Sequence, residues 1–446
     1  MLLIGGNRTY SLRMSNELPH PKRHDRSVRF IQQVFHWGRP PNAELLLRAA
    51  SRLRVTIRLA RDAARSPADQ LMAMALANLL LRLPIRAGVQ LPPAAMFAAV
   101  APYKGATLEE AIATLGGGLE IEPDLHMPSD DGGLSVLIQG PEESLEIFLR
   151  ADGWQVQLGH AAMGPSTAPA NAVAAYGGAC CAGAEVVRAW ARSTAALGAT
   201  AGRRFEWDAA PTGDTRLNLW APGSLDPGPP LEGMALPVID WIGAGAVTQA
   251  ALAVLAAVPG LQLSGRVFDP KDLDEPDLNR SILSFVEDVG LGKASISVGQ
   301  ANGGLAPYRA SYPVSERVTA PWIVCGADDV SVRPKCQAMW PATLMVVSTE
   351  GAFARVSCHW PDSGSFCAAC PGTSSPDSTP IPTIGPTSVF AGVVAAASLF
   401  RLASSASPPC VTALTLRLDS SIAMEETSPR AREDCPVCAP GYRERN

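Results

Sequence analysis

Apolar residues recur at helical spacing from Ala43 to Arg65 and from Pro67 to Leu83, where Pro84 stops the run, so the pattern predicts a helical opening. Short apolar runs then alternate with glycine and charged turns at Ser135–Ile138, Ser144–Leu149 and Trp154–Leu158, which predicts strands, and Gly116–Gly118 reads as a turn. A long small-residue helix from Asn171 to Ala196 closes a first α/β unit. Residues 209–230, with Pro222-Gly223 and Asp226-Pro-Gly-Pro-Pro230, form a turn-rich boundary. Beyond it, Leu236–Ile242 is an apolar run with one charge, Asp240, and Gly243-Ala-Gly245 opens a helix reaching Val258. Leu261–Phe268 is the next strand, and Trp322–Cys325 and Thr343–Val347 are further buried-strand candidates. Residues 371–386 are rich in Gly, Ser, Pro and Thr with no apolar period, the composition of a mobile connector. Ser388–Leu402 is a second small-residue helix, and two such helices at corresponding places point to an internal duplication.

Composition narrows the class. A chain of 446 residues holds about three domains of ordinary size, or two larger ones. With 47% hydrophobic and 18% charged residues and a formal net charge of -5, it is neither a disordered polyelectrolyte nor a basic nucleic-acid binder. The apolar stretches Leu71–Leu83 and Val389–Phe400 fall short of the ~20 residues that cross a bilayer. A cytoplasmic protein with no membrane or nucleic-acid partner is expected. The first 40 residues form a basic arm, and lysine is scarce throughout, with five residues against thirty-two arginines.

Gly243-x-Gly245 between a strand and a helix is the arrangement that lets backbone amides approach phosphates. Thr248 stands where a third glycine is usual, and Asp269 closes the next strand where an acid binds a ribose hydroxyl. The segment Asp269-Pro-Lys-Asp-Leu-Asp-Glu-Pro-Asp-Leu-Asn-Arg-Ser281, then Asp288-Val-Gly-Leu-Gly-Lys293, resembles the ThiF-type adenylating superfamily, which includes ubiquitin-activating enzymes and sulfur-carrier adenylyltransferases. The resemblance runs from about Leu236 to Cys438. It implies that Asp269 binds ribose, Arg280 and Lys293 contact the triphosphate, and Asp328, in Cys325-Gly-Ala-Asp328-Asp-Val-Ser-Val-Arg333, serves a magnesium ion. Positive groups, a magnesium carboxylate and a helix amide nest are what is needed to hold a tetra-anionic nucleotide beside a carboxylate. Lys271, Pro276, Asp277, Ser281, Gly292 and Asp329 depart from the family pattern. Asp277 would repel phosphates, with Lys271 the nearby cation to offset it.

Cys367-Ala-Ala-Cys370 and Cys435-Pro-Val-Cys438 are two Cys-x-x-Cys pairs, 64 residues apart, and together they make a closed four-cysteine zinc site. The superfamily commonly carries such a zinc, and some members use a further cysteine to take the activated carrier as a thioester. Residues 371–386 contain no cysteine, which leaves Cys358, beside His359, and Cys410 as candidates.

The fold class expected is α/β, a Rossmann-like adenylation domain with a zinc staple, preceded by a degenerate α/β pseudo-repeat. The division is residues 1–40 as basic arm, 41–230 as inactive repeat and 231–446 as active domain, with Arg26-x-x-Arg29 resembling the arginine that inactive repeats lend to the γ-phosphate. The resemblance implies ATP, Mg2+ and Zn2+ as cofactors, and ATP-dependent adenylation of the C-terminal glycine of a ubiquitin-like or sulfur-carrier protein. Transfer to a thiol and to a conjugating enzyme, and a homodimer, are open extensions of that reading. The alternatives are a silenced adenylation fold that docks a carrier, and a nicotinamide-dependent oxidoreductase sharing Gly243, Gly245 and Asp269.

Overall fold

The computed structural model describes residues 53–92, 103–121, 134–138, 147–160, 168–196, 214–301, 303–312, 320–360, 367–370, 383–404, 413–418 and 422–427, with isolated positions elsewhere such as Phe30, Cys435 and Val437.

The first strand, β1 (Arg54–Leu59), lies where helix was expected. Val55, Ile57 and Leu59 alternate with Arg54, Thr56 and Arg58, and this period of two, with β-branched residues at 55–57, prevails over the helical spacing around it. After it, Ser66 caps α1 (Pro67–Leu81) by accepting the Asp69 amide, with Pro67 in the first turn where no amide partner is missed. Then come β2 (Arg86–Gln90) and α2 (Leu108–Gly118), whose last turn holds the three glycines read as a turn. β3 (Leu134–Ile138), β4 (Ile147–Asp152) and β5 (Gln155–Gly159) precede α3 (Ala172–Ala196), and β6 (Thr215–Asn218) follows it. The sheet order is β2-β1-β3-β4-β5-β6, parallel from β2 to β4 and antiparallel beyond.

The second sheet repeats this plan. β7 (Ile239–Ile242), α4 (Ala246–Ala256) and β8 (Leu263–Phe268) correspond to β1, α1 and β2. α5 (Lys293–Gln300) and an added strand, β9 (Gly303–Tyr308), lead to β10 (Trp322–Cys325), α6 (Val332–Ala338), β11 (Thr343–Glu350) and β12 (Phe353–His359). Then α7 (Gly385–Ser404), β13 (Ala413–Arg417) and β14 (Ala423–Thr427) complete the order β14-β13-β12-β11-β10-β7-β8-β9. Removing β9 and β14 leaves the strand order and the parallel-to-antiparallel switch of the first sheet. The protein is thus an α/β fold of two related halves.

α7 begins at Gly385, so the last two residues of the expected connector are helical, and residues 371–382 lie outside the described residues. At 20 residues, α7 is long and apolar enough to cross a membrane, but here it is buried. Its small residues explain why. A Cβ on Gly392 would lie 2.5 Å from the Val247 carbonyl oxygen and 2.7 Å from the Ala251 amide of α4. α3 is built alike: Gly183 faces Pro386 of α7, and Gly178 faces Met72 of α1 and Leu149 of β4. The close approach of these helices makes one continuous core across both halves, with Leu71, Trp190, Trp241 and Phe390 all buried in it.

The turn-rich segment between the halves is pinned down by a buried tryptophan. Trp154 Nε1 donates to the Pro229 carbonyl at 2.6 Å, and the ring packs on Trp220 and Phe400.

Candidate functional site

The parallel strands β7, β8 and β10 end on one edge, and the turn leaving β7 is built by its glycines. Gly243 has φ +84°, and a Cβ there would sit 3.0 Å from the backbone of Ala327, in the loop after β10. Only glycine fits. Gly245 is different: it caps α4 with no side-chain hydrogen bond, and a Cβ there would meet nothing within 4 Å. The opening amides of α4 are therefore left without a side-chain acceptor beside open space, the arrangement that receives an anion. Gly326 supplies the close helix-to-strand approach that the missing third glycine would have given, since a Cβ there would lie 3.0 Å from Thr248 Oγ1. The sequence carried that signal in Cys325-Gly326.

Asp269, 6% exposed, ties this turn to the next loop. One carboxylate oxygen accepts the Ala244 amide at 2.7 Å and the other accepts the Lys271 amide at 2.8 Å.

Arg280 and Lys293 converge, but on Asp277. Lys293 Nζ lies 2.7 Å from Asp277 Oδ2, and Arg280 Nη2 lies 3.6 Å from Oδ1, with all three side chains largely enclosed. Lys293 and Arg280 pair with Asp277 directly, while Lys271, the cation expected to offset it, feels its charge without touching it. Lys271 instead pairs with Asp328, its Nζ 3.0 Å from Oδ2 and 3.4 Å from Oδ1, both side chains facing solvent. Partial burial would raise the Asp328 carboxyl, but the hydrogen bond and charge of Lys271, with the backbone amides of Asp328 and Asp329, outweigh it and hold the group below the ordinary carboxylate value. The hydrogen bond to Asp328 in turn raises Lys271. The backbone brings these groups together, since the Lys293 amide donates to the Lys271 carbonyl at 3.1 Å. α5 starts at Lys293, again after a glycine, Gly292, with no side-chain cap.

The result is two uncapped helix starts, two enclosed cations sharing one acid, and a solvent-facing carboxylate held by a lysine. Chemically, such a site can bind a phosphate-bearing anion at Arg280 and Lys293. A divalent cation at Asp328 requires Lys271 to move off. A lone carboxylate suits Mg2+, which keeps most of its ligands as water and phosphate oxygens.

Elsewhere, Cys367, Cys370 and Cys435 are buried with their sulfurs all within 4.8 Å of one another. Cys367 Sγ lies 3.5 Å from Cys435 Sγ and 3.7 Å from Cys370 Sγ. Three converging thiols suit zinc, with Cys438, outside the described residues, next along the motif. Cys358 points away from nucleophilic use: it is buried on β12, and burial pushes its thiol up to about 12 despite the charge of Arg401. Cys410 and the Arg26-x-x-Arg29 arm lie outside the described residues.

Residues 54–206, from β1 through α3, match the family described as the BilD N-terminal domain. No curated protein matches this sequence. Among solved structures, it is similar to E. coli MccB at 13% identity, covering 47% of this chain and 66% of that one with a TM-score of 0.38. E. coli MccB with ATP is similar at 14% identity, 45% and 67% coverage and a TM-score of 0.36. PaaA is similar at 13% identity, 44% and 64% coverage and a TM-score of 0.34. In the first of these comparisons the chain spans 66% of the solved protein's length. At such overlaps the chemistry has to be read from the site's own residues.

Proposed function

We propose that the second half of the protein activates a carboxylate with ATP, adenylating the C-terminal glycine of a ubiquitin-like or sulfur-carrier protein. The observation that carries this is the turn from β7 into α4: Gly243 takes a left-handed φ of +84° against Ala327, and Gly245 leaves the opening amides of α4 with no side-chain acceptor beside open space for an anion. The roles follow the sequence resemblance. Asp269 holds the ribose, Gly243 and Gly245 admit the phosphates, and Arg280 and Lys293 leave Asp277 to meet them. The fork of Arg280 reaches two oxygens, while Lys293 is a point charge that can follow the α-phosphate into the transition state. Magnesium, when bound at Asp328, offsets phosphate charge. The carrier's carboxylate is already ionised, so it attacks the α-phosphate without a protein base, the bond to the β-phosphate breaks and pyrophosphate leaves, and catalysis is positioning plus charge stabilisation.

Zinc on Cys367, Cys370, Cys435 and Cys438 staples residues 435–438 to the segment after β12. Metal analysis of the purified protein should give one zinc, lost in Cys367→Ser. The first half is the inactive repeat, and the protein works in the cytoplasm.

A second reading draws on the ion pairs. With Arg280 and Lys293 both held by Asp277, and Asp328 by Lys271, each charged group of the site is engaged by another, as in a silenced carrier-binding scaffold. Pyrophosphate exchange into ATP, run with a panel of ubiquitin-fold proteins ending in glycine, decides between them. Carrier-dependent exchange that falls at least 100-fold in both Lys293→Ala and Asp328→Ala establishes adenylation. Absence of exchange with every carrier, in zinc-loaded protein that still binds one of them, establishes the scaffold.

A further inference from the structure

Arg82 closes α1 in the first half and is 2% exposed. Its guanidinium reaches into the second half. Nη1 donates to the Leu278 carbonyl at 2.6 Å, and Nη2 donates to the carbonyls of Ser284 at 3.0 Å and Ile282 at 3.3 Å. Nε donates to Asn78 Oδ1 at 2.8 Å, and the charge lies 6.0 Å from the centre of the Phe285 ring. Asn78 adds a bond of its own from Nδ2 to the Ile282 carbonyl at 3.0 Å.

The same segment is held from two other sides. Gln249 of α4 accepts the Leu283 amide at 3.2 Å and the Ser284 hydroxyl at 3.0 Å, and its own amide donates to the Ala244 carbonyl of the glycine turn at 3.4 Å. Gly385, opening α7, packs against the backbone of Asn279 and Arg280. Residues 278–284 are thus gripped by α1, α4 and α7, and Arg280 stands among them.

Burying a guanidinium is costly unless every donor is used, and an apolar side chain of similar volume would fill the same space more easily. What the arginine adds is direction. Three carbonyls from one short segment are fixed against one rigid fork, which sets where the backbone of Arg280 runs.

We propose that Arg82, with Asn78, is a positioning residue through which the first half of the protein sets the Arg280 guanidinium against the phosphates of ATP. This rests on the reading of Arg280 as a phosphate contact. A misplacement of about 1 Å at such a group costs on the order of 100-fold in rate.

A double-mutant cycle in the full-length protein tests it, with ATP and Mg2+ as the probe and binding read by calorimetry. Arg82→Lys keeps the charge but loses the fork, so it should weaken ATP binding at least 10-fold in the wild-type background. It should add nothing in the Arg280→Ala background, because its effect passes through Arg280. Amide hydrogen exchange should rise in residues 278–284 while the unfolding transition stays cooperative. Asn78→Ala, which removes one contact, should do the same to a smaller extent and serves if Arg82→Lys folds poorly. Equal weakening in both backgrounds, or unchanged ATP binding in Arg82→Lys and Asn78→Ala beside a large loss in Arg280→Ala, overturns the positioning role alone. Unchanged binding in Arg280→Ala overturns the phosphate assignment beneath it.

Discussion

The two halves share a topology and differ at the starts of their helices. In the first half, Ser66 caps α1, Thr107 caps α2 and Asn171 accepts an amide in the first turn of α3. In the second, α4 and α5 begin at Gly245 and Gly292 with no side-chain cap. Against glycine, such a cap stabilises its helix by roughly a few tenths of a kcal/mol, so going without is a small local loss. The end of the neighbouring strand differs in the same sense, because β8 runs into the enclosed Asp269 while β2 ends at the exposed Gln90. The starts of α1, α2 and α3 are satisfied by side chains of their own half, and those of α4 and α5 are not. The difference between the halves lies at these turns, while the sheet order is held in common.

The close packing of α4 against α7 should be the most fragile part. In Gly392→Val, the new side chain meets the α4 backbone at distances it cannot keep, so α4 and α7 must separate. A loss of about 3 kcal/mol is expected, with both halves melting together because one core spans them. Denaturant unfolding followed by a probe in each half checks this. Two separate transitions would show that the halves are independently stable.

The next effect falls on function alone. Gly245→Asp gives α4 the kind of cap that α1 has, and the open space at that position admits the side chain. Stability should rise by roughly a few tenths of a kcal/mol. ATP binding should fall more than 10-fold, since a carboxylate then occupies the amides and repels phosphate. Unchanged ATP affinity in a stabilised variant would remove the anion from the start of α4 and return the difference between the halves to drift.

The features legible in the sequence were those written in local pattern. The turn at Gly243–Gly245, the small-residue helices α3 and α7 and the paired cysteines all announce themselves by spacing. β1 did not, because its alternation is six residues long inside a longer stretch that also fits a helix. The charged residues were found individually, but their pairing was not: residues 271 and 328 are far apart in sequence and meet only because β8 and β10 flank β7. Arg82 carried no signal at all, since its partners are backbone carbonyls that have no sequence signature.

Asp277 sharpens the comparison from the side of charge. The resembled family has asparagine there, and Asp277→Asn would release Lys293 and Arg280 for the ligand. ATP should bind up to about 10-fold tighter, which corresponds to about 1.4 kcal/mol. Weaker binding would show that the acid's main task is to hold the two cations in place.

The smallest effect belongs to the Lys271–Asp328 pair. The Asp328 carboxyl is held down in the folded protein, so its contribution is complete above the ordinary value of about 3.9 and disappears as pH falls through the lowered one. Lys271 is raised, so its contribution is complete below the ordinary value of about 10.4 and is lost only as pH rises through the raised one. Between these limits the pair should be flat with pH. Because both side chains face solvent, it should stabilise the fold by less than about 1 kcal/mol. Comparing the melting of wild type and Lys271→Met from pH 2 to 7 should show a small gap at neutral pH that closes under acid and shrinks with salt. A gap well above 1 kcal/mol would make the pair a structural lock that a metal ion could not displace. A small one leaves Asp328 exchangeable between an ammonium and a divalent cation, which is what the second half needs and the first, with its capped helices, does not.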